Sequence, residues 1–336
     1  MPIGYHNMGS NSYSIYCPLC LSSEVQLKGS EKFFTISEAY KKHYDIDIVK
    51  IYGHQLTMIR MYECSQCHLV FFQPYITGDG SFYLQLARKA WYYMPDKWEF
   101  NQALDDISPT DIVLEIGCGN GSFLKKLKDK GIRQIVGIDL NVDALREPKA
   151  VGVKIYNKTV EELAAEENQK FDVVCSFQVL ENVSDPRSFL EASIKLLKPG
   201  GKLIMGIPNS EGFMKGIRFN LLDMPPHHVT RWSINVILYL DKILPLRVER
   251  YSFEPIAEYH VDWYARNRLL NYIEKILGER ITNSLDEFLV TRKLLSGFSR
   301  YLFLPVLSIA GTLQLKQGHT LYVKYRKEID NESDNS

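Results

Sequence analysis

Apolar and polar residues recur along this chain with two different periods, and the period separates strands from helices. Between residues 111 and 208, short apolar runs alternate with stretches whose apolar residues lie three and four apart. Val113-Leu114-Glu115-Ile116 is one such run, and Gln134 to Ile138 and Phe171 to Phe177 are others. Phe123, Leu124 and Leu127 mark one face of an amphipathic helix between the first two runs. Ser184-Asp185-Pro186 offers a capping side chain and a proline for the first turn of another helix. Phe189, Leu190, Ala192, Ser193, Leu196 and Leu197 form its buried face, and Pro199-Gly200-Gly201 is expected to stop it. Strands and helices in alternation imply a parallel sheet with right-handed crossovers. Leu246–Phe253 and Thr320–Tyr325 read as two more strands. The fold class is therefore α/β.

Other stretches fall outside that pattern. Residues 81–106 are aromatic and predicted helical, with Tyr83, Trp91, Tyr92, Tyr93, Trp98 and Phe100. The ordinary reading of each single aromatic is core packing. Residues 256–316 read as a mostly helical insertion, 317–328 carry the last strand, and the polar tail 329–336 is expected to be disordered. The expected divisions are an N-terminal module over 1–75, a helical connector and lid over 76–108, and a nucleoside-binding core over 109–255.

The run Leu114-Glu115-Ile116-Gly117-Cys118-Gly119-Asn120-Gly121 carries the core's chemistry. A strand ends in an acid, and three glycines then permit positive φ and close backbone approach to a ligand. A dinucleotide-binding loop would place its third glycine at position 122, which is Ser122. Glu115 suits an amino-acid-like, partly cationic ligand better than a pyrophosphate. Asp139 can bind ribose hydroxyls in either class.

The pattern Glu-Ile-Gly-Cys-Gly-x-Gly followed by Gly137-Ile138-Asp139-Leu140 resembles the class I S-adenosylmethionine-dependent methyltransferases. Phe171 to Glu181 is similar to that family's fourth strand and following loop, and Leu196 to Ile204 to the turn into its fifth strand. The resemblance covers roughly 109–210. It implies a Rossmann-like seven-stranded sheet whose last two strands pair antiparallel at the edge. It also implies that Glu115, Gly117, Cys118, Gly119 and Gly121 cradle the methionine part of the cofactor. Asp139 would take the ribose, Leu140, Thr159 and Val160 would border the adenine, and Phe177 and Gln178 would lie under the sulfonium. Asn182 stands where many relatives carry His.

The chain has six cysteines, and four of them form two Cys-x-x-Cys knuckles, Cys17/Cys20 and Cys64/Cys67. Two thiolates from each of two tight turns complete a tetrahedron, which points to a structural Zn2+ site in a zinc-ribbon-like module. A redox pair or disulfides are the alternatives. Cys118 and Cys175 read as small buried thiols.

His227 and His228, in Pro225-Pro226-His227-His228-Val229-Thr230-Arg231-Trp232-Ser233, are the candidate catalytic bases. The alternative is that both are hydrogen-bonded to the turn. Arg231 would hold an anionic substrate group or brace the loop, and Ser233 is a candidate cap for a helix starting at Ile234. This segment resembles methyltransferases of sugar and polysaccharide biosynthesis, and the zinc module with this core resembles sugar C-methyltransferases. The expected acceptor is a sugar, nucleotide-sugar or glycoconjugate precursor, methylated on oxygen or carbon.

Lys plus Arg equals Asp plus Glu, 40 each, which argues against bulk-charge binding of nucleic acid. The competing readings are a non-catalytic assembly protein, an RNA methyltransferase and a nicotinamide oxidoreductase. The polar stretch Met1 to Tyr16 has no apolar run, so a cytoplasmic setting is expected. Tyr301 to Leu315 is apolar, interrupted by Pro305 and flanked by Arg300 and Lys316. A buried helix pair is its ordinary reading, and peripheral membrane contact is the alternative.

Overall fold

A computed structural model of the chain describes residues 14–89, 91–141, 152–212, 215, 220–277, 301 and 318–329. In chain order the elements are β1 (Val25–Lys32), α1 (Phe33–Tyr44), α2 (Ile48–Tyr52), β2 (Met58–Cys64), β3 (Val70–Gln73), α3 (Gly80–Ala87) and α4 (Trp98–Asp106). There follow β4 (Ile112–Ile116), α5 (Ser122–Asp129), β5 (Gln134–Ile138), β6 (Lys154–Tyr156), α6 (Val160–Glu166), β7 (Phe171–Phe177), α7 (Pro186–Leu196) and β8 (Leu197–Pro208). The last are β9 (Thr230–Arg231), α8 (Ile234–Tyr239), β10 (Leu246–Phe253), α9 (Glu258–Leu277) and β11 (Thr320–Lys327).

The main sheet has seven strands in the order β10-β11-β8-β7-β4-β5-β6. The five strands from β8 to β6 are parallel. β11 runs antiparallel to both β8 and β10, as the sequence implied. Val113 and Leu114 of β4 are fully buried because helices cover both faces of the sheet. α5 packs Phe123, Leu124 and Leu127 inward. α7 starts where expected, with Asp185 Oδ1 accepting from the Ser188 amide at 2.9 Å and Pro186 in the first turn. It ends at Leu196, before the Pro-Gly-Gly, because β8 already begins at Leu197.

The second sheet has the order β1-β2-β3-β9. Its fourth strand comes from the Arg-Trp-Ser segment, where Val70 and Phe71 pair with Arg231 and Thr230. The N-terminal sheet is thus completed by the core. One apolar cluster runs from Cys17, Leu19 and Cys67 through Phe71 to Trp232, Ile237 and the strands of the main sheet. A second joins Tyr40, Phe72 and Phe82 to Leu221 and Met224.

Two local expectations are corrected. The stretch 81–106 is not one helix: α3 and α4 are separated by an irregular segment holding Trp91, Tyr92 and Tyr93. Ser233 precedes α8 but makes no capping bond. Most of the predicted insertion 256–316, nearly all of the apolar stretch 301–315 and residues 330–336 of the tail lie outside the described residues. Among the described residues, no helix is long and apolar enough to cross a membrane.

Candidate active site and cysteine cluster

Glu115 is the penultimate residue of β4 and is 3% exposed, and its Oε2 has no hydrogen-bond partner among the described residues. Burial pushes its carboxyl well above the usual range, Asp139 adds to this, and Lys97 opposes it. The turn that follows holds Gly117, Gly119 and Gly121 at φ of +70°, +51° and +80°. A Cβ on Gly117 would lie 2.4 Å from Val179 Cγ2, and one on Gly119 would lie 2.7 Å from Tyr93. The turn is pinned by the Gly117 amide donating to the Ile138 carbonyl at 2.8 Å. The Gly119 amide donates to Asp139 Oδ2 at 2.7 Å. Asp139 Oδ1 accepts from the Asn141 amide at 2.7 Å. Asp139 is therefore fixed beside the glycines, and burial raises its carboxyl despite those two bonds.

The other expected cofactor residues are placed as follows. Leu140 is 67% exposed beyond β5. Thr159 and Glu162 form a reciprocal capping box on α6, so the Thr159 hydroxyl is occupied by helix capping. Val160 is buried in the main core. The Cys118 thiol faces the core near Leu124 and Gly137. The Phe177 ring packs against Phe123 and Phe100 with centroids 4.7 and 5.1 Å away. Gln178, at φ +58°, donates its amide to Gly206 at 2.7 Å and its side-chain Nε2 to Glu99 Oε1 at 3.3 Å.

The two histidines stack with centroids 4.4 Å apart. His227 Nδ1 lies 2.8 Å from the Leu222 carbonyl and its Nε2 lies 3.3 Å from the Tyr92 hydroxyl. Burial holds His227 well below its ordinary range, and neighbouring His228 adds to this. His228 sits between two carboxylates: its Nδ1 is 3.1 Å from Asp223 Oδ1 and its Nε2 is 3.8 Å from Glu181 Oε1. Arg231 braces the loop, pairing with Asp223 Oδ2 at 2.8 Å and lying 5.0 Å over the Phe72 ring.

Glu181, quoted in the sequence only as part of a strand-end motif, stands at the centre of this arrangement. It is 1% exposed, and neither carboxyl oxygen is hydrogen-bonded among the described residues. It borders a closed packing gap, too small for a water, with Pro208, Asn209, Asp223, Arg231 and Trp232. Burial pushes it up to about 7 against the pull of His228. The folded chain thus binds this proton more tightly than the unfolded one. The stability involved is present below about 4.5 and is lost as pH rises through about 7. We expect Glu181→Gln to remove that loss. In urea unfolding the variant should gain on the wild type by about 2–3 kcal/mol between about pH 5 and about pH 8. A stability difference that does not change with pH would contradict this.

Cys17, Cys20, Cys64 and Cys67 bring their sulfurs within 4.8 Å of one another. The Cys17–Cys67 and Cys20–Cys64 pairs are each 3.5 Å apart. Tetrahedral zinc–thiolate bonds of about 2.3 Å imply sulfurs about 3.8 Å apart, so this donor set fits Zn2+. The two knuckles repeat one backbone form: Leu21 and His68, each just after a second cysteine, both have φ of +62°. The Cys17 thiol is pushed down to about 5, chiefly by its hydrogen bond with Cys67, whereas burial pushes Cys20 up to about 11.

The family described as "Methyltransferase domain" matches residues 87–265. The chain is 34% identical over 106 residues to ubiquinone biosynthesis O-methyltransferases of Salmonella newport (strain SL254) and Klebsiella pneumoniae (strain 342). That match covers 30% of this chain and 43% of each relative, so the chain spans less than half the length of these relatives. A SAM-dependent methyltransferase structure from Archaeoglobus fulgidus aligns over 68% of this chain and 91% of its own, at 16% identity and a TM-score of 0.46.

Proposed function

We propose that this chain, which belongs to the methyltransferase-domain family, methylates a sugar, nucleotide-sugar or glycoconjugate precursor with S-adenosylmethionine. The carrying observation is the buried, unpartnered Glu115 oxygen beside a glycine turn that has no room for a side chain at Gly117 or Gly119. A ligand bearing a cationic aminoacyl group would satisfy that carboxyl, and Asp139 beside it suits ribose hydroxyls. The family cofactor, when bound, supplies a methyl group already activated on a positively charged sulfur.

The chain's own residues then have separate tasks. Glu115 and the Gly117–Gly121 turn hold the cofactor, Asp139 orients it, and Leu140, Val160 and the Thr159 backbone border its base. Phe177 supports the floor from the core side, and Gln178 lines it. Alignment of nucleophile and methyl supplies much of the rate. A hydroxyl or carbon acceptor must also lose a proton, and the stacked His227 and His228 are the groups to take it. Burial keeps His227 neutral at neutral pH, as a base must be.

The sugar acceptor rests on the likeness of the Pro225 to Ser233 segment, and of the cysteine module joined to this core, to methyltransferases of sugar biosynthesis. The balanced charge disfavours a nucleic-acid partner. The cysteine quartet would hold one structural Zn2+ that ties the β2–β3 turn to the chain before β1. Methyl transfer from labelled S-adenosylmethionine to a panel of nucleotide-linked sugars and of catechols tests the acceptor class. Label in the sugars supports the proposal, whereas label only in the catechols overturns the sugar reading.

A further inference from the structure

We infer that Tyr92 is the catalytic group through which His227 receives the proton of an acceptor hydroxyl; this rests on the methyl-transfer reading above. The hydrogen bonds of His227 set its tautomer. A carbonyl oxygen can only accept, so the Nδ1 atom 2.8 Å from Leu222 carries the ring proton. Nε2 then holds the lone pair, and Tyr92 Oη stands 3.3 Å from it. The phenol donates to Nε2, and its oxygen keeps lone pairs for another donor.

Access points the same way. His227 is 9% exposed, stacked on His228 and ringed by Phe82, Tyr83 and Tyr92. With one nitrogen on a backbone carbonyl and the other facing a phenol, it has no free edge for an acceptor. Tyr92 is only half-buried, in the irregular segment between α3 and α4. The next residue, Tyr93, lies against Gly119 of the glycine turn. Consecutive side chains therefore reach the buried base and the cofactor cradle.

The step balances as follows. The acceptor O–H bond breaks as its oxygen forms the new bond to the methyl carbon. The proton passes to the Tyr92 oxygen while the Tyr92 proton moves to His227 Nε2. The electron pair of the broken carbon–sulfur bond stays on sulfur. Asp223 and Glu181 flank His228, the ring stacked on His227. The acceptor atom this implies is a hydroxyl oxygen.

Tyr92→Phe keeps the ring and removes the relay. In imidazole 15N spectra of the full chain at neutral pH, His227 should be protonated on Nδ1 and bare on Nε2. The bare nitrogen should shift in Tyr92→Phe. The opposite tautomer, or no shift, overturns the inference whether or not an acceptor has been found. With a nucleotide-sugar that the wild type methylates, Tyr92→Phe should lower kcat about 100-fold. KM for that acceptor and S-adenosylmethionine affinity should stay within a few-fold. An unchanged kcat overturns the inference. Failure of every sugar in the panel overturns the acceptor class alone, since the spectra still decide the Tyr92–His227 bond.

Discussion

If the cysteine quartet holds zinc as proposed, Cys67→Ser is expected to weaken its retention and lower the thermal transition by on the order of 10 °C. The size follows from where the knuckles sit. Cys17, Cys64 and Cys67 are fully buried in the same apolar cluster as Trp232 and the main sheet. Arg187 of α7 donates to the Leu19 carbonyl at 3.3 Å, so the first knuckle is also tied to the core. Without a cation, thiolates packed this closely repel one another, and burial disfavours their charge. Their protonated forms would leave two turns with little else to hold them. Structural zinc contributes about 10–16 kcal/mol in small modules. Part of that would be lost here, because the serine variant keeps three ligands and the sheet pairing with β9. Zinc measured by elemental analysis and melting followed by circular dichroism give the two readouts. A wild type without bound zinc, or a variant melting with the wild type, would contradict the metal assignment.

Gly117→Ala will weaken S-adenosylmethionine binding by at least about 5-fold while leaving the fold intact. The residue sits at φ +70°, where an L side chain is strained. The new methyl would overlap Val179. Relief requires Val179 to turn, or the turn to open and lose its amide bond to Ile138. Strain of about 1–3 kcal/mol at this position corresponds to roughly 5- to 150-fold in affinity. The substitution lies outside the sheet ladder, so the far-ultraviolet spectrum should be unchanged. Wild-type affinity in a folded variant would separate the glycine turn from cofactor binding.

The main sheet was legible in the sequence because its pattern is local. β4 is an apolar run carrying Glu115 near its end, α5 and α7 carry their own periodicity, and α7 its own cap. The cysteine quartet was legible because two knuckles announce themselves by spacing. Contacts between distant segments were not legible. Nothing near Thr230 and Arg231 signals that they complete a sheet begun at Val25. The roles of Glu181 and Tyr92 are set by residues far along the chain: Glu181 meets His228, and Tyr92 meets His227. The run Trp91-Tyr92-Tyr93 did hold a signal, since three consecutive aromatics fit no helical face and so mark a cover rather than a helix. At Thr159 the side-chain role was not legible either. Its position matches a cofactor contact, while its side chain caps α6 together with Glu162. Arg231 had two open readings, and its bond to Asp223 identifies it as a brace.

The most direct test of the account is calorimetric titration of S-adenosylmethionine into the zinc-loaded wild-type chain, with Gly117→Ala titrated alongside. The account predicts saturable binding in the micromolar range, clearly weakened in the variant. No saturable heat from folded wild-type protein would contradict cofactor binding and leave the Glu115–Asp139 cradle without its ligand.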